Sequence, residues 1–191
     1  MTLPAGTPLW RVHLAQGPYA LPWDTARRFG PLERFDPHPP PPGPHPEVGV
    51  LYTATTLVTC LAEVFQATRV IDRVHLRPTA TSWRTTRDLM LIDLQGQAAL
   101  RLGAAESING TARRSRTQAW ARALVAAFPT VDGFRHRSAM DGGDCVCLVV
   151  GPHADGTTAL PENPEFSRPL DEVAMGDVAA EAAGLLGYDV V

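Results

Sequence analysis

The chain has 191 residues, of which 45% are hydrophobic and 19% charged, and its formal net charge is −3. This length suits one domain with one core, the apolar fraction is ordinary for a globular protein, and the low charged fraction argues against disorder. The acidic balance argues against a basic face for direct nucleic-acid binding. Because no run of about 18 apolar residues occurs and residues 1–5 lack a signal-peptide pattern, we expect no membrane span and a cytoplasmic location.

The basic residues are unusual in type, since all 17 are arginine and the chain has no lysine. A GC-rich coding bias accounts for this composition, but the absence still excludes some chemistry. A Schiff-base lysine, a P-loop lysine and a lysine general base cannot occur. A bound anion must therefore be held by arginine, by helix N-termini or by backbone N–H groups.

The three cysteines predict neither a disulfide framework nor a zinc site. Their number is odd, and Cys60, Cys145 and Cys147 form no C-x-x-C pair. Cys145 and Cys147 alternate within an apolar run, which places both on one face of a strand. We expect all three to be buried small apolar residues, and we predict no metal site.

In the first third of the chain, a strand is predicted at residues 8–14, where polar and apolar side chains alternate. Residues 37–46 contain seven prolines and two histidines, which predicts a solvated Pro-rich loop. A short strand at 49–53 should lead into a helix with Thr53 or Thr55 near its N-cap. Glu63 lies on the flank of this helix and is the only charged residue between positions 53 and 66.

The rest of the chain alternates irregularly between short strands and helices. The predicted elements are strands at 70–76 and 89–94, a helix opened by a capping box at 115–118, strands at 132–138 and 144–150, and a last helix at 177–186. The continuous apolar run at 144–150 indicates a central strand that is covered on both faces. This irregular order predicts an α+β fold.

Several standard catalytic motifs are absent. The sequence has no G-x-G-x-x-G after a strand, no G-x-S-x-G and no H-E-x-x-H. The histidines are scattered singly, which is typical of structural or solvated residues. What remains is a dispersed set of polar residues: Arg11, Arg34, Tyr52, Glu63 and Ser138.

Each of these five residues has an ordinary structural explanation. Arg11 could be a surface residue with a packed stem, and Tyr52 could belong to the core. Ser138 could be a turn residue, and Glu63 a solvated helix charge. Their order along the chain is the observation that favours a function.

That order resembles the RES domain, a family named for its Arg, Glu and Ser signatures. The blocks that carry the resemblance are Leu9-Trp-Arg-Val12, Arg34-Phe-Asp-Pro37, Leu51-Tyr-Thr-Ala54, Thr117-Gln-Ala-Trp-Ala121 and Gly133-Phe-Arg-His-Arg-Ser138, with Glu63 at the expected spacing after Leu-Tyr-Thr. The resemblance covers residues 8–151 of a single domain spanning 1–191, with a C-terminal strand and helix extension. The chain departs from the family pattern at residues 31–33, in the Pro-rich stretch and at Arg137, which affects the entrance of the site.

The resemblance implies an α+β fold related to ADP-ribosyltransferases of the diphtheria-toxin type, with mixed and antiparallel sheets and flanking helices. It also implies a toxin that cleaves the nicotinamide–ribose bond of NAD⁺ by hydrolysis or phosphorolysis. NAD⁺ would then be a substrate, inorganic phosphate a candidate co-substrate, and no prosthetic group would be needed. The implied partner is an Xre-like antitoxin that covers the active site.

The resemblance assigns roles to the same five residues. Glu63 would stabilise the oxocarbenium-like ribose, and Arg11 and Arg34 would hold the diphosphate or an incoming phosphate. Tyr52 would line or stack on the nicotinamide, and Ser138 would hydrogen-bond the substrate or a catalytic side chain. Two alternatives stay open: a protein mono-ADP-ribosyltransferase that uses NAD⁺, and a non-catalytic module that binds a nucleotide or a partner.

Overall fold

The computed structural model describes residues 1–191, apart from the side chain of Glu106. The strands are Thr2–Leu3 (β1), Pro8–Leu14 (β2), Phe29–Gly30 (β3), Gly43–Pro44 (β4), Gly49–Ala54 (β5), Val70–Ile71 (β6), Pro78–Arg84 (β7), Leu89–Asp93 (β8), Gly133–Arg137 (β9), Asp144–Val150 (β10), Phe166–Pro169 (β11) and Asp189–Val190 (β12). The α-helices are Leu57–Val64 (α1), Gly96–Arg101 (α2), Arg114–Ala127 (α3) and Gly176–Leu186 (α4). Short 3₁₀ turns lie at Glu106–Asn109, Gly156–Ala159 and Val173–Met175.

Most strands join one mixed sheet in the order β1-β8-β9-β10-β5-β2-β7-β11. The β8–β9 pair is parallel, whereas β9–β10, β10–β5 and β2–β7 are antiparallel. Strand β2 pairs with β5 at Trp10 and Ala54 and along its whole length with β7. The mixed sheet with flanking helices confirms the predicted α+β class.

Strand β10 lies in the middle of the sheet, between β9 and β5, as its apolar run predicted. Its alternation sends Cys145 and Cys147 to one face, where they pack in clusters with α1 and α3 respectively. Val146 and Leu148 project from the other face into a cluster with the fully buried Trp83. All three cysteines are buried and free, so the prediction that they are small core residues is confirmed.

The face of the sheet that carries the helices is covered at two separate places. Ala54 and Cys145 pack with α1, and Phe134 and Cys147 pack with α3. Tyr52 on β5 packs against the second cluster, and His136 on β9 lies opposite Cys145, so both side chains share this face. The gap between α1 and α3 is therefore the position at which the fold leaves a cleft.

Three helix ends can be compared with the caps predicted from the sequence. The N-cap of α1 is Thr56, whose Oγ1 accepts the Thr59 N–H at 3.1 Å, so the prediction of Thr53 or Thr55 was close but wrong. The capping box at 115–118 is wrong, because α3 begins at Arg114 and its N-cap Arg113 makes no side-chain cap bond. Gly187 ends α4 in the left-handed conformation, as expected.

The predicted strand at 70–76 is shorter in the structure and stops at Ile71. The Asp72 carboxylate accepts the N–H groups of Val74 and His75 at 2.9 and 2.8 Å, which turns the chain. Strand β7, which no pattern in the sequence predicted, follows this turn and is a buried neighbour of β2.

The Pro-rich segment is not a fully solvated loop, and in this respect the prediction is wrong. Strand β4 pairs with β3, and the His38 side chain is fully buried. A Cβ at Gly30 would lie only 2.6 Å from the His38 Nδ1 and 3.1 Å from the Asp36 Oδ2. The segment therefore packs closely around residues 30–38 and gives this part of the chain a fixed shape.

Candidate active site

A cleft of about 700 Å³ opens between α1, the segment 33–34, β2, β5 and β9. Four of the five residues singled out in the sequence line it: Arg11, Arg34, Tyr52 and Glu63. Ser138 is buried outside the lining, although its neighbours Arg137 and Ala139 belong to it. The fold thus brings together residues that are up to 52 positions apart in the chain.

Glu63 lies in the last turn of α1 and faces the cleft. Its Oε1 is buried and has no hydrogen-bond partner among the described residues, and none of their cations lies within ion-pair distance. A carboxylate near a helix C-terminus is also disfavoured by the helix dipole. Both features are unfavourable in the isolated chain, which is typical of a group retained for a ligand rather than for folding.

Arg34 faces the same cleft and lies within electrostatic reach of Glu63. Burial lowers the pKa of Arg34, and the charge of Glu63 acts in the opposite direction. The guanidinium donates from Nη1 to the Ala112 carbonyl at 3.1 Å and makes no direct ion pair with Glu63. An anion and a cation therefore face the cleft without neutralising each other by contact.

Arg11 provides a second cation, held by the loop that follows β2. Its Nη1 donates to the carbonyls of Trp23 and Thr25 at 2.9 and 3.2 Å. Burial lowers the pKa of Arg11 to about 10, with the charge of Asp24 acting against the shift, so the guanidinium stays protonated at neutral pH. Neither of its described hydrogen bonds is to a carboxylate, which leaves its charge available to an anion.

Tyr52 lines the cleft with its ring, while its hydroxyl fixes the neighbouring chain. The hydroxyl donates to Asp36 Oδ1 at 2.9 Å and accepts the Phe35 N–H at 3.1 Å. Burial raises the pKa of Tyr52 well above 10, so the phenol is neutral. The hydroxyl therefore holds the segment that carries Arg34, and the ring is the part that can meet a ligand.

Asp36 is a residue that sequence reasoning did not select. Its fully buried carboxylate accepts two bonds from Arg27 Nη2, at 2.9 and 2.8 Å, in addition to the bond from Tyr52. It also accepts the N–H groups of Leu32 and Glu33 at 2.6 and 3.0 Å. The only sequence signal was its place in the Arg34-Phe-Asp-Pro37 block, since a buried carboxylate cannot be recognised from hydropathy alone.

Ser138 stabilises the turn between β9 and β10. Its Oγ accepts the N–H groups of Met140 and Asp141 at 3.1 and 3.3 Å. Asp141 in turn accepts the Thr59 hydroxyl at 2.8 Å, which ties this turn to the first part of α1. Ser138 is thus connected to the helix that carries Glu63, and contact with a substrate stays a prediction.

His136 and His13 also line the cleft, although single histidines gave no functional signal in the sequence. Burial lowers the pKa of His136 to about 4, and the Arg34 charge contributes in the same direction. Burial likewise lowers the pKa of His13 to about 4, aided by Arg11. Both imidazoles are therefore neutral at physiological pH and can act there as hydrogen-bonding groups but not as cations.

No group of three or more His, Cys, Asp or Glu side chains is arranged to hold a metal ion in the described part of the chain. No helix among those residues is long and apolar enough to cross a bilayer.

Comparison with known proteins gives a family and a fold. A family model described as the RES domain matches residues 8–171. A chain in the crystal structure of the M. tuberculosis MbcT–MbcA toxin–antitoxin complex superposes with a TM-score of 0.63 at 18% sequence identity, covering 96% of this chain and 92% of that one. No curated protein matches the chain.

Protonation of His136 should destabilise the protein in acid. The pKa of His136 is about 4 in the folded protein and 6.5 in the unfolded chain, so the unfolded chain binds the extra proton first as the pH falls. The stabilisation is complete above about pH 6.5 and is lost as the pH falls through 4. Between about pH 7 and pH 4.5, the free energy of unfolding should fall by about 2 kcal/mol less for His136→Phe than for the wild type. Urea unfolding at the two pH values measures this difference.

The exposed His75 offers a matched control, and His75→Phe should follow the wild type at both pH values. An acid-induced loss in His136→Phe that equals the wild-type loss would contradict the neutral, buried state of His136.

Proposed function

The chain belongs to the RES-domain family, and from this membership we propose that it is the toxin of a toxin–antitoxin pair and cleaves the nicotinamide–ribose bond of NAD⁺. The observation that carries the proposal is Glu63, a cleft-lining residue with a buried, unpartnered carboxylate oxygen, in a cleft that is also lined by two arginines. The proposal further includes the diphtheria-toxin-type ADP-ribosyltransferase relationship that the resemblance implies.

The chemistry of NAD⁺ cleavage requires little more than such a carboxylate. The bonding electron pair between ribose C1′ and the pyridinium nitrogen leaves with nicotinamide, which departs as a neutral molecule without a general acid. Positive charge then develops on the ribose, where Glu63 would stabilise it. The carboxylate acts only as charge develops, so its effect should fall on turnover more than on binding.

A water oxygen or a phosphate oxygen would then form the new bond to C1′. Attack by water releases a proton and gives ADP-ribose, whereas attack by inorganic phosphate gives ADP-ribose 1-phosphate. The arginines suit either case, because a guanidinium fork can donate two charge-assisted bonds to one phosphate group. Arg11 and Arg34 would hold the diphosphate of NAD⁺ or the incoming phosphate, and the ring of Tyr52 would line the nicotinamide position.

The partner in this proposal is an antitoxin. The structurally similar M. tuberculosis chain comes from a complex described as toxin–antitoxin. By this likeness and by the resemblance stated above, we infer an Xre-like antitoxin that covers the cleft, and a cytoplasmic site of action. Three free buried thiols are compatible with such a reducing compartment.

Incubation of the purified protein with NAD⁺, with and without inorganic phosphate, tests this function directly. We expect nicotinamide to be released together with ADP-ribose, or with ADP-ribose 1-phosphate if phosphate is the acceptor. Release should survive a strong chelator, since the neutral leaving group needs no Lewis acid. ADP-ribose attached to the protein or to an added protein would favour the transferase. Absence of nicotinamide release would favour a non-catalytic binding module.

The two arginines should each contribute to substrate binding. Arg11→Ala or Arg34→Ala should weaken NAD⁺ or phosphate binding by about 1.5–3 kcal/mol, the range for hydrogen bonds to charged groups. Replacement by lysine should restore binding only in part, because lysine keeps the charge but lacks the fork. Calorimetric or kinetic titration measures both effects.

The exposed Arg101 on α2 lies outside the cleft lining, so Arg101→Ala is the control for loss of one positive charge. If Arg11→Ala and Arg34→Ala bind as tightly as this control, the two arginines have structural roles only.

A further inference from the structure

His136 lines the cleft and carries a hydrogen-bond acceptor with no partner among the described residues. Its side chain is 6% exposed, and its Nε2 is buried without a partner among the described residues. The Nδ1 lies 3.2 Å from the Arg137 carbonyl oxygen, which can only accept. The ring proton must therefore lie on Nδ1, and Nε2 carries the lone pair.

The surroundings of the ring hold this acceptor in place. The imidazole packs 4.6 Å from the centroid of Phe35 and 6.4 Å from that of Tyr52, which meets it edge-on. Asn109, the nearby amide of the lining, already donates to the Leu94 carbonyl and accepts the Arg137 N–H. Burial keeps His136 neutral with a pKa of about 4, so Nε2 remains an acceptor at physiological pH.

The position of His136 relates it to the bond that would break. His136, Arg34 and Glu63 all line the same cleft. In the proposed function the ring of Tyr52 lines the nicotinamide position, and the His136 imidazole lies 6.4 Å from that ring between centroids, so the group nearest His136 is the departing nicotinamide. Its carboxamide is attached to a ring carbon two bonds from the pyridinium nitrogen and carries an NH₂ donor.

We propose that His136 is a specificity-determining residue, whose Nε2 accepts a hydrogen bond from the carboxamide NH₂ of the nicotinamide ring. This proposal rests on NAD⁺ cleavage at the same cleft and adds how the leaving group is recognised. The planar nicotinamide lies in the region bounded by the rings of Tyr52 and His136. Ligands with an acceptor or a methyl group in place of the NH₂ leave Nε2 buried and unpaired, so they are selected against.

The test compares NAD⁺ with two analogues altered only at the carboxamide. The acetylpyridine analogue has a methyl group in place of the NH₂, and the thionicotinamide analogue keeps the NH₂. The wild type should prefer NAD⁺ over the acetylpyridine analogue in kcat/KM, and it should retain the thionicotinamide analogue as a good substrate. His136→Phe keeps a flat ring but removes the acceptor, and it should reduce this preference by about tenfold or more. The intrinsic reactivity of each analogue cancels when the preference of the variant is divided by that of the wild type.

His136→Gln supplies a side-chain oxygen at a similar reach and should restore part of the preference, which a purely structural role would not do. His75→Phe is the control and should keep the wild-type preference. The assignment is overturned if folded His136→Phe discriminates as the wild type does, or if the wild-type preference for NAD⁺ over the acetylpyridine analogue does not exceed the ratio of their uncatalysed cleavage rates. The second result does not depend on any variant folding.

A third analogue distinguishes binding of the carboxamide NH₂ from binding of the adenine NH₂, the other amino group of NAD⁺. The hypoxanthine dinucleotide lacks the adenine NH₂, and His136→Phe should treat it as the wild type does. If the variant instead loses discrimination against this substrate, Nε2 binds the adenine end and the proposal is wrong. If the wild type releases no nicotinamide at all, the proposed function fails and this inference with it, whereas normal release with unchanged preferences overturns the inference alone.

Discussion

The Asp36 carboxylate is the interaction on which the geometry of the cleft depends. Fully buried, it joins Arg27, Tyr52 and the N–H groups of residues 32 and 33, and so fixes the segment that carries Arg34 against β5. Removing one partner of such a buried pair typically destabilises a protein by about 3–5 kcal/mol, because the other charge is left buried and unpaired. The close packing of His38 against Gly30 supports the same segment from the other side.

Satisfied and unsatisfied polar groups are distributed unequally around this centre. Asp36 has a full set of donors, and Ser138 and Asp141 connect their turn to α1 through hydrogen bonds. By contrast, Glu63 Oε1, His136 Nε2 and His13 Nδ1 have no partners among the described residues, and all three residues line the cleft. A well-bonded frame thus holds unpaired polar atoms beside two cations, an arrangement that favours a ligand with a cationic centre, anionic phosphates and an NH donor.

The sequence allowed prediction of the elements with strong local signals, such as β2, β10 and the end of α4 at Gly187. It did not predict β7, whose polar residues Thr79, Thr81 and Ser82 are buried because the strand pairs with β2 and β11. Arg11, Arg34, Tyr52 and Glu63 could be chosen because they occur in family order, and the structure places them in one cleft. Asp36 and His136 lie in the same family blocks but were not chosen, because their roles come from burial and from contacts with residues distant in the chain.

The most direct test of the account is the turnover of Glu63→Gln, measured together with its melting temperature. Glutamine keeps nearly the same size but removes the charge, so we expect a fold at least as stable as the wild type, little change in NAD⁺ binding, and turnover lower by about a hundredfold or more. Glu181→Gln, on the exposed side of α4, is the matched control and should leave turnover unchanged. A stable Glu63→Gln variant with normal turnover would contradict the central role of this carboxylate.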